Sequence, residues 1–153
     1  MRNFVFIAAI LTLALAGCRE DFYYSKSYEI PDYSWSVDSV LNFNFEINDT
    51  SKTYIWYIDV RHTSQFDYSN FYVFPKRISP NGKMYLDTLN IPLADPTGRW
   101  YGNGAGDIYD NRILWQKGMK FPEAGFYTFS FEQGSRDPSL TELVNFGFSM
   151  YMY

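Results

Sequence analysis

Leu41-Asn42-Phe43-Asn44-Phe45-Glu46-Ile47 sets four large apolar side chains against three polar ones in strict alternation. Period two is the signature of a strand that buries one face and wets the other. Asn48-Asp49-Thr50-Ser51 follows as a turn cluster. The alternation then resumes: Tyr54, Trp56, Ile58 and Val60 share one face, and Ile55, Tyr57, Asp59 and Arg61 share a mixed, part-buried one. Downstream, Tyr127, Phe129 and Phe131 alternate with Thr128, Ser130 and Glu132, and Val144, Phe146, Phe148, Met150 and Met152 line one side of a final strand. Phe71–Phe74 is a run broken by Pro75, Pro80-Asn81-Gly82 is a turn signal, Lys83–Ile91 reads as one strand, and Ile113–Trp115 is a short one. Residues 139–144 have room for one helical turn, and no segment carries a convincing helical stripe. Short strands at close turn spacing predict an all-β, single-domain antiparallel β-sandwich, jelly-roll-like or Ig-like, with strand order left open.

The amino terminus has a different logic. Arg2 precedes an apolar run from Phe4 to Ala16, free of charge and with Thr12 its one polar residue, followed by Gly17 and the only cysteine, Cys18. A charged start, an apolar stretch and a small-residue exit make a secretory signal. A cysteine directly after Leu15-Ala16-Gly17 resembles a lipobox, in which the thiol is diacylated, the leader is cut before Cys18, and the new amino terminus is acylated. Two or three acyl chains anchor stably where one does not. The competing reading, a membrane-spanning helix, needs ~20 apolar residues, and polar Arg19-Glu20-Asp21 arrives too soon. The expected organisation is a lipoprotein signal peptide over 1–17, the lipidated cysteine and a tether over 18–34, and the sandwich over 35–153. Within the tether, Tyr28-Glu29-Ile30-Pro31 is a candidate edge strand.

Composition narrows the function. The formal net charge is −4, and losing a leader that carries only Arg2 takes it to −5. An acidic chain without a basic run is a poor match for nucleic acid, whose affinity comes from neutralised phosphates. It does not favour anionic lipid headgroups either, so membrane attachment falls to the acyl chains on Cys18. With that thiol committed, none is left for a disulfide, a zinc site or a nucleophile. The 14 Phe, 14 Tyr and 4 Trp supply the burial that must hold the domain. Some must also lie on the surface, where Tyr and Trp are enriched at binding sites.

Several stretches invite a chemical reading. Gly98-Arg99-Trp100-Tyr101-Gly102-Asn103-Gly104-Ala105-Gly106 is rich in glycine, but no Gly-Lys-Ser/Thr and no helix pattern follows to hold a phosphate or dinucleotide. Two readings stay open for it. One is a long turn whose glycines adopt positive φ. The other is a partner-binding patch of Arg99, Trp100 and Tyr101, the residue types enriched at hot spots. Asp95, Asp107 and Asp110 have oxygen ligands for calcium but not the spacing of a calcium loop, and Asp95 before Pro96 reads more simply as a turn residue, so no metal is expected. His62, the single histidine, is expected at a strand end beside Arg61. No Gly-x-Ser-x-Gly marks a nucleophile and no carboxylate pair stands out. Neither catalysis nor a cofactor is expected.

The specific pattern begins at Asp59-Val60-Arg61-His62 and continues through Tyr68-Ser69-Asn70-Phe71-Tyr72 and Asp87-Thr88-Leu89. It runs on through Leu93-Ala94-Asp95-Pro96-Thr97-Gly98-Arg99-Trp100, then Gly102-Asn103-Gly104-Ala105-Gly106-Asp107. Phe121-Pro122-Glu123-Ala124-Gly125-Phe126-Tyr127-Thr128-Phe129 and Phe146-Gly147-Phe148 complete it. This resembles the gliding-motility lipoprotein H family (GldH), over nearly all of the chain after Cys18. The resemblance implies an envelope lipoprotein of the outer membrane, needed for gliding in species that glide. It also implies a non-catalytic assembly role with outer-membrane protein partners, in gliding motility or secretion. Arg19-Glu20-Asp21 is similar to the basic-then-acidic signal that exports lipoproteins of this bacterial group, which favours the cell-surface face over the periplasmic one. The alternative that composition allows is a lipid-anchored carbohydrate-binding module, with exposed Trp and Tyr stacking on a glycan.

Overall fold

The computed structural model describes residues 22–153, and the leader, Cys18 and Arg19-Glu20-Asp21 lie outside the described residues. Twelve strands follow one another: β1 Phe22–Glu29, β2 Ser34–Ser36, β3 Leu41–Ile47, β4 Tyr54–Thr63, β5 Asn70–Ile78 and β6 Met84–Leu86. After these come β7 Leu89–Pro92, β8 Asn103–Ala105, β9 Ile108–Met119, β10 Gly125–Gln133, β11 Ser139–Thr141 and β12 Leu143–Met152. The only helical element among the described residues is a 3₁₀ turn at Pro31–Tyr33. One sheet has the order β1-β12-β4-β9-β8, the other β3-β10-β5-β6 with β7 also on β5, and β11 and β2 form a separate two-stranded ribbon.

The pairings are nested. β1 joins β12, β3 joins β10, β4 joins β9, and β5 joins β6 and β7, all antiparallel. The chain is therefore one long hairpin rolled into two layers, the jelly-roll form of the sandwich. Its tip is the turn read at Pro80-Asn81-Gly82. There the Gly82 amide donates to the Ser79 carbonyl at 2.9 Å, and Gly82 takes φ +82°, open to glycine at no steric cost.

The alternating faces meet between the layers. Phe43, Phe45 and Ile47, then Tyr54, Trp56, Ile58 and Val60, then Phe146, Phe148 and Met150 are all buried, as is the inner row of β10. The core is chiefly aromatic: Phe129 lies 5.3 Å from Phe148, and Trp56 meets Phe129 edge-on at 5.1 Å. Edge-to-face pairs add to the area term and fix ring orientation.

Five local expectations are corrected. The span read as a tether contains β1, whose Phe22–Glu29 pairs with nearly the whole of β12; Tyr24 and Tyr28 are half-buried against the core, which a polar-aromatic composition did not reveal. Pro75 does not end its strand. Its carbonyl accepts from the Asp87 amide at 3.0 Å, on the side where Asp87-Thr88 separates β6 from β7. The missing proline N–H thus breaks the partner edge, and Lys83–Ile91 becomes two strands instead of one. Ile113–Trp115 is the middle of a much longer β9, which keeps pace with β4 through two register irregularities. Residues 139–141 are extended as β11, held by β2, and form no helical turn.

Candidate functional site

The Gly-rich stretch is anchored at both ends. Asp95 Oδ1 accepts from the Thr97 amide at 2.8 Å, the Thr97 hydroxyl at 2.6 Å and the Arg99 amide at 3.1 Å. These bonds, the Thr97 hydroxyl foremost, hold the Asp95 carboxyl below its usual range. Asp95 is the turn residue that its place before Pro96 indicated. Gly98 and Gly106 adopt positive φ, as a long turn requires. Gly102 serves close approach instead, since a Cβ there would lie 2.7 Å from the Asp110 carbonyl oxygen.

The three candidate contact residues separate. The Tyr101 amide donates to the Leu93 carbonyl at 2.8 Å and Ala94 bridges Trp100, so the segment is extended and side chains alternate. Arg99 and Tyr101 are exposed, with the Arg99 guanidinium 3.3 Å from Asp95. Trp100 turns inward and packs on the core. Its ring lies 4.6 Å from His62, which stacks on Tyr109 at 5.7 Å and sits beside Phe66 at 5.5 Å.

His62 is fully buried near the end of β4. Its Nδ1 is 2.8 Å from the Thr63 carbonyl, so the proton sits there, and Nε2 has no hydrogen-bond partner. Burial pushes its pKa down. Among the described residues no serine or carboxylate hydrogen-bonds to the ring, and an imidazole packed by three aromatic rings is an anchor for the Trp100 segment. Of the three aspartates weighed for calcium, Asp110 is engaged by Arg61 through two bonds of 2.6 and 3.0 Å. Among the described residues no group of three or more His, Cys, Asp or Glu is placed to hold a metal ion.

Two surfaces not singled out in the sequence complete the description. On the outer face of the first sheet, Lys26, Asp59, Arg61, Asp110 and Arg112 line a broad depression of about 700 Å³. Its charges are largely paired across strands: Arg112 donates to Asp59 at 2.7 Å and to the Tyr151 hydroxyl at 2.9 Å. Asp59 also accepts from Ser149 at 2.5 Å. On the second sheet, Met84 pairs beside Ile78 and Leu86 beside Lys76. With Tyr72 and Phe74 farther along β5, they leave an apolar strip in which Leu86 is 74% exposed. The sequence signal for this strip was weak, because in Phe71–Phe74 and in β6 the inner and outer residues are alike apolar or aromatic.

The family model for the GldH lipoprotein matches residues 22–150, the strands just described from β1 nearly to the end of β12. The chain belongs to the GldH lipoprotein family. A gliding motility lipoprotein GldH homolog of Christiangramia forsetii is 30% identical over 132 residues, covering 86% of this chain and 80% of the relative. The gliding motility lipoprotein GldH of Flavobacterium johnsoniae is 28% identical over 131 residues, covering 86% and 79%. Among solved structures, the infectious bursal disease virus VP2 subviral particle aligns over 86% of this chain and 33% of that chain, at 12% identity and a TM-score of 0.36. GldH membership makes this a lipid-anchored envelope protein associated with gliding motility, in a family described by its anchor and by motility and not by a reaction.

Proposed function

We propose that this GldH-family chain is a non-catalytic assembly subunit of an outer-membrane complex serving gliding motility or secretion, held to the membrane by acyl chains on Cys18. The observation that carries the reading is the apolar strip of Tyr72, Phe74, Met84 and Leu86 on the outer face of the second sheet. An acidic domain with a full aromatic interior has no folding use for these side chains outside. Contiguous exposed apolar surface beside polar residues is the mark of a protein contact. Arg99 and Tyr101 form a smaller second contact at the far end of β4.

The short tether supports the same reading. Three residues lie between Cys18 and Phe22, four residue steps in all, and extended chain spans at most about 3.6 Å per residue. The domain thus stands within about 15 Å of its anchor and meets partners embedded in or lying on the same membrane. Arg19-Glu20-Asp21 supports the cell-surface face.

Affinity purification of the lipidated protein from mild detergent, followed by mass spectrometry, tests the proposal. Outer-membrane proteins should co-purify with the native chain and be lost with Met84→Glu/Leu86→Glu. A solitary protein, or a partner set indifferent to the two charges, sinks the assembly role. A solitary protein that retains glycan moves the carbohydrate-binding alternative forward. Cys18→Ala should leave the domain folded but absent from the membrane fraction, and normal fractionation would remove the lipid anchor from the proposal.

A further inference from the structure

Between the two layers, at the end of the sandwich that carries the Pro80-Asn81-Gly82 turn, is a second cavity of about 230 Å³. Its walls are mainly aromatic, with Trp56, Phe121, Tyr127 and Phe129 buried around it. Tyr85 and Lys120, both exposed, belong to the same lining. The unusual member is Arg77. Its register opposite Tyr85 and Phe129 places it on the inner side of β5. Its guanidinium carbon lies 5.8 Å from the Trp56 ring, 5.5 Å from Tyr85 and 5.9 Å from Trp115.

Among the described residues no carboxylate pairs with Arg77. The ion pairs of Arg61, Arg99 and Arg112 are all made elsewhere, and Arg77 Nε is buried without a hydrogen-bond partner. Trp56 Nε1, a second donor among the lining residues, is likewise buried and unpartnered. Arginine stays charged at any working pH. Arg77 is part-buried; ring faces recover part of the cost of burying its Nε edge, but they do not satisfy the Nε N–H. A cavity with an unanswered cation, idle donors and apolar walls is complementary to an anion with an apolar body.

We propose that this cavity is a binding site for a small carboxylate carrying a short apolar or aromatic body. The carboxylate pairs with Arg77 and its body lies among Trp56, Phe121 and Tyr127. Lys120 adds a second positive charge. Planar two-bond pairing with a guanidinium is the geometry carboxylates favour. The cavity is below the roughly 300–1,000 Å³ of sites for drug-sized ligands, which restricts the occupant to a compact acid. This site is independent of the apolar strip, since Arg77 faces inward where Met84 and Leu86 face out.

The test titrates the purified full-length protein, in non-ionic detergent, with benzoate, and with benzamide as the neutral molecule of the same shape. Tryptophan fluorescence and calorimetry report binding. Benzoate is expected to saturate, to change the Trp56 emission, and to bind at least about tenfold more tightly than benzamide, a difference of about 1.4 kcal/mol. Arg77→Gln is expected to abolish that preference, and Lys120→Gln to weaken it. Met84→Glu/Leu86→Glu should leave it intact, which separates this site from the assembly surface. Equal binding of the two probes, or no saturable benzoate binding at millimolar concentration, overturns the proposal. If Arg77→Gln does not fold, the comparison of the two probes on the native protein still decides the matter.

Discussion

The His62 ring meets the Trp100 ring at 4.6 Å and 62°, edge to face, inside the turn of the Gly-rich segment. This contact joins the most distinctive loop of the sequence to the end of β4, and it divides three neighbouring residues into one that holds the fold and two that face solvent.

Replacing Trp100 should therefore cost stability, while replacing its neighbours should not. Truncating a largely buried tryptophan to alanine costs about 3–5 kcal/mol, and the part-buried Trp100 is expected at the lower end. Arg99→Ala and Tyr101→Ala should each stay within about 0.5 kcal/mol, as surface changes do. Denaturant unfolding of the three single variants checks this. Loss of partner binding in an Arg99/Tyr101 double variant can then be read as a surface effect, whereas a variant that includes Trp100 would confuse contact with folding. A Trp100→Ala protein as stable as the native chain would show that the packing carries no weight.

His62 should make the domain sensitive to mild acid. Burial lowers its pKa in the fold below the ordinary 6.5. A depressed folded pKa means the stabilisation is complete above the unfolded value. It declines as pH drops from about 6.5 toward the folded pKa, because the unfolded chain takes up the proton first. The slope in that window is at most about 1.4 kcal/mol per pH unit for one group. Melting curves between pH 7.5 and 5 should show a loss that His62→Phe removes, after subtraction of the carboxylate background common to both proteins. Parallel curves for the two would contradict the argument.

The two cross-strand ion pairs on the first sheet should differ in weight. Arg61 and Asp110 are about half exposed, at 47% and 52%, and a pair of that kind contributes about 0–1 kcal/mol. Asp59 is 28% exposed and accepts from both Arg112 and Ser149. Removing its carboxylate takes the acceptor from the fully buried Ser149 hydroxyl, at about 1–3 kcal/mol. Asp59→Ala should thus destabilise more than Asp110→Ala, and raising the salt concentration should narrow the native-to-Asp110→Ala difference first.

Gly102→Ala isolates close approach from backbone freedom. The added methyl would sit 2.7 Å from the Asp110 carbonyl oxygen and 2.8 Å from the Asn111 side-chain amide. The segment must shift, at about 1–3 kcal/mol. Because Gly102 has no positive φ, an effect of this size reports crowding, not lost conformational reach. Amide exchange should rise in β8 and at the start of β9, and an unchanged exchange pattern would mean the loop absorbs the methyl without cost.

The strands themselves were legible in the order of residues. Alternation at Leu41–Ile47, Tyr54–Val60, Tyr127–Phe131 and Val144–Met150 is a local property, since successive side chains on extended backbone must point to opposite faces. The same holds for the turn at Pro80-Asn81-Gly82 and for Asp95 as a turn residue. Which strand lies beside which was not legible, because one alternating segment offers the same ladder of donors and acceptors to any other. Only the packed structure chose β12 as the partner of β1, drawing Phe22–Glu29 out of the expected tether. Only packing let β5 run through Pro75, by turning its missing donor toward a break in the neighbouring edge. Trp100 and Arg77 show the same limit in side chains. Their composition pointed to a surface patch in one case and to nothing in the other, and tertiary contact decided both, sending the tryptophan onto His62 and setting the part-buried arginine beside rings with no carboxylate paired to it among the described residues. Local backbone geometry is written in nearest neighbours, whereas burial and charge compensation depend on residues brought together from distant parts of the chain.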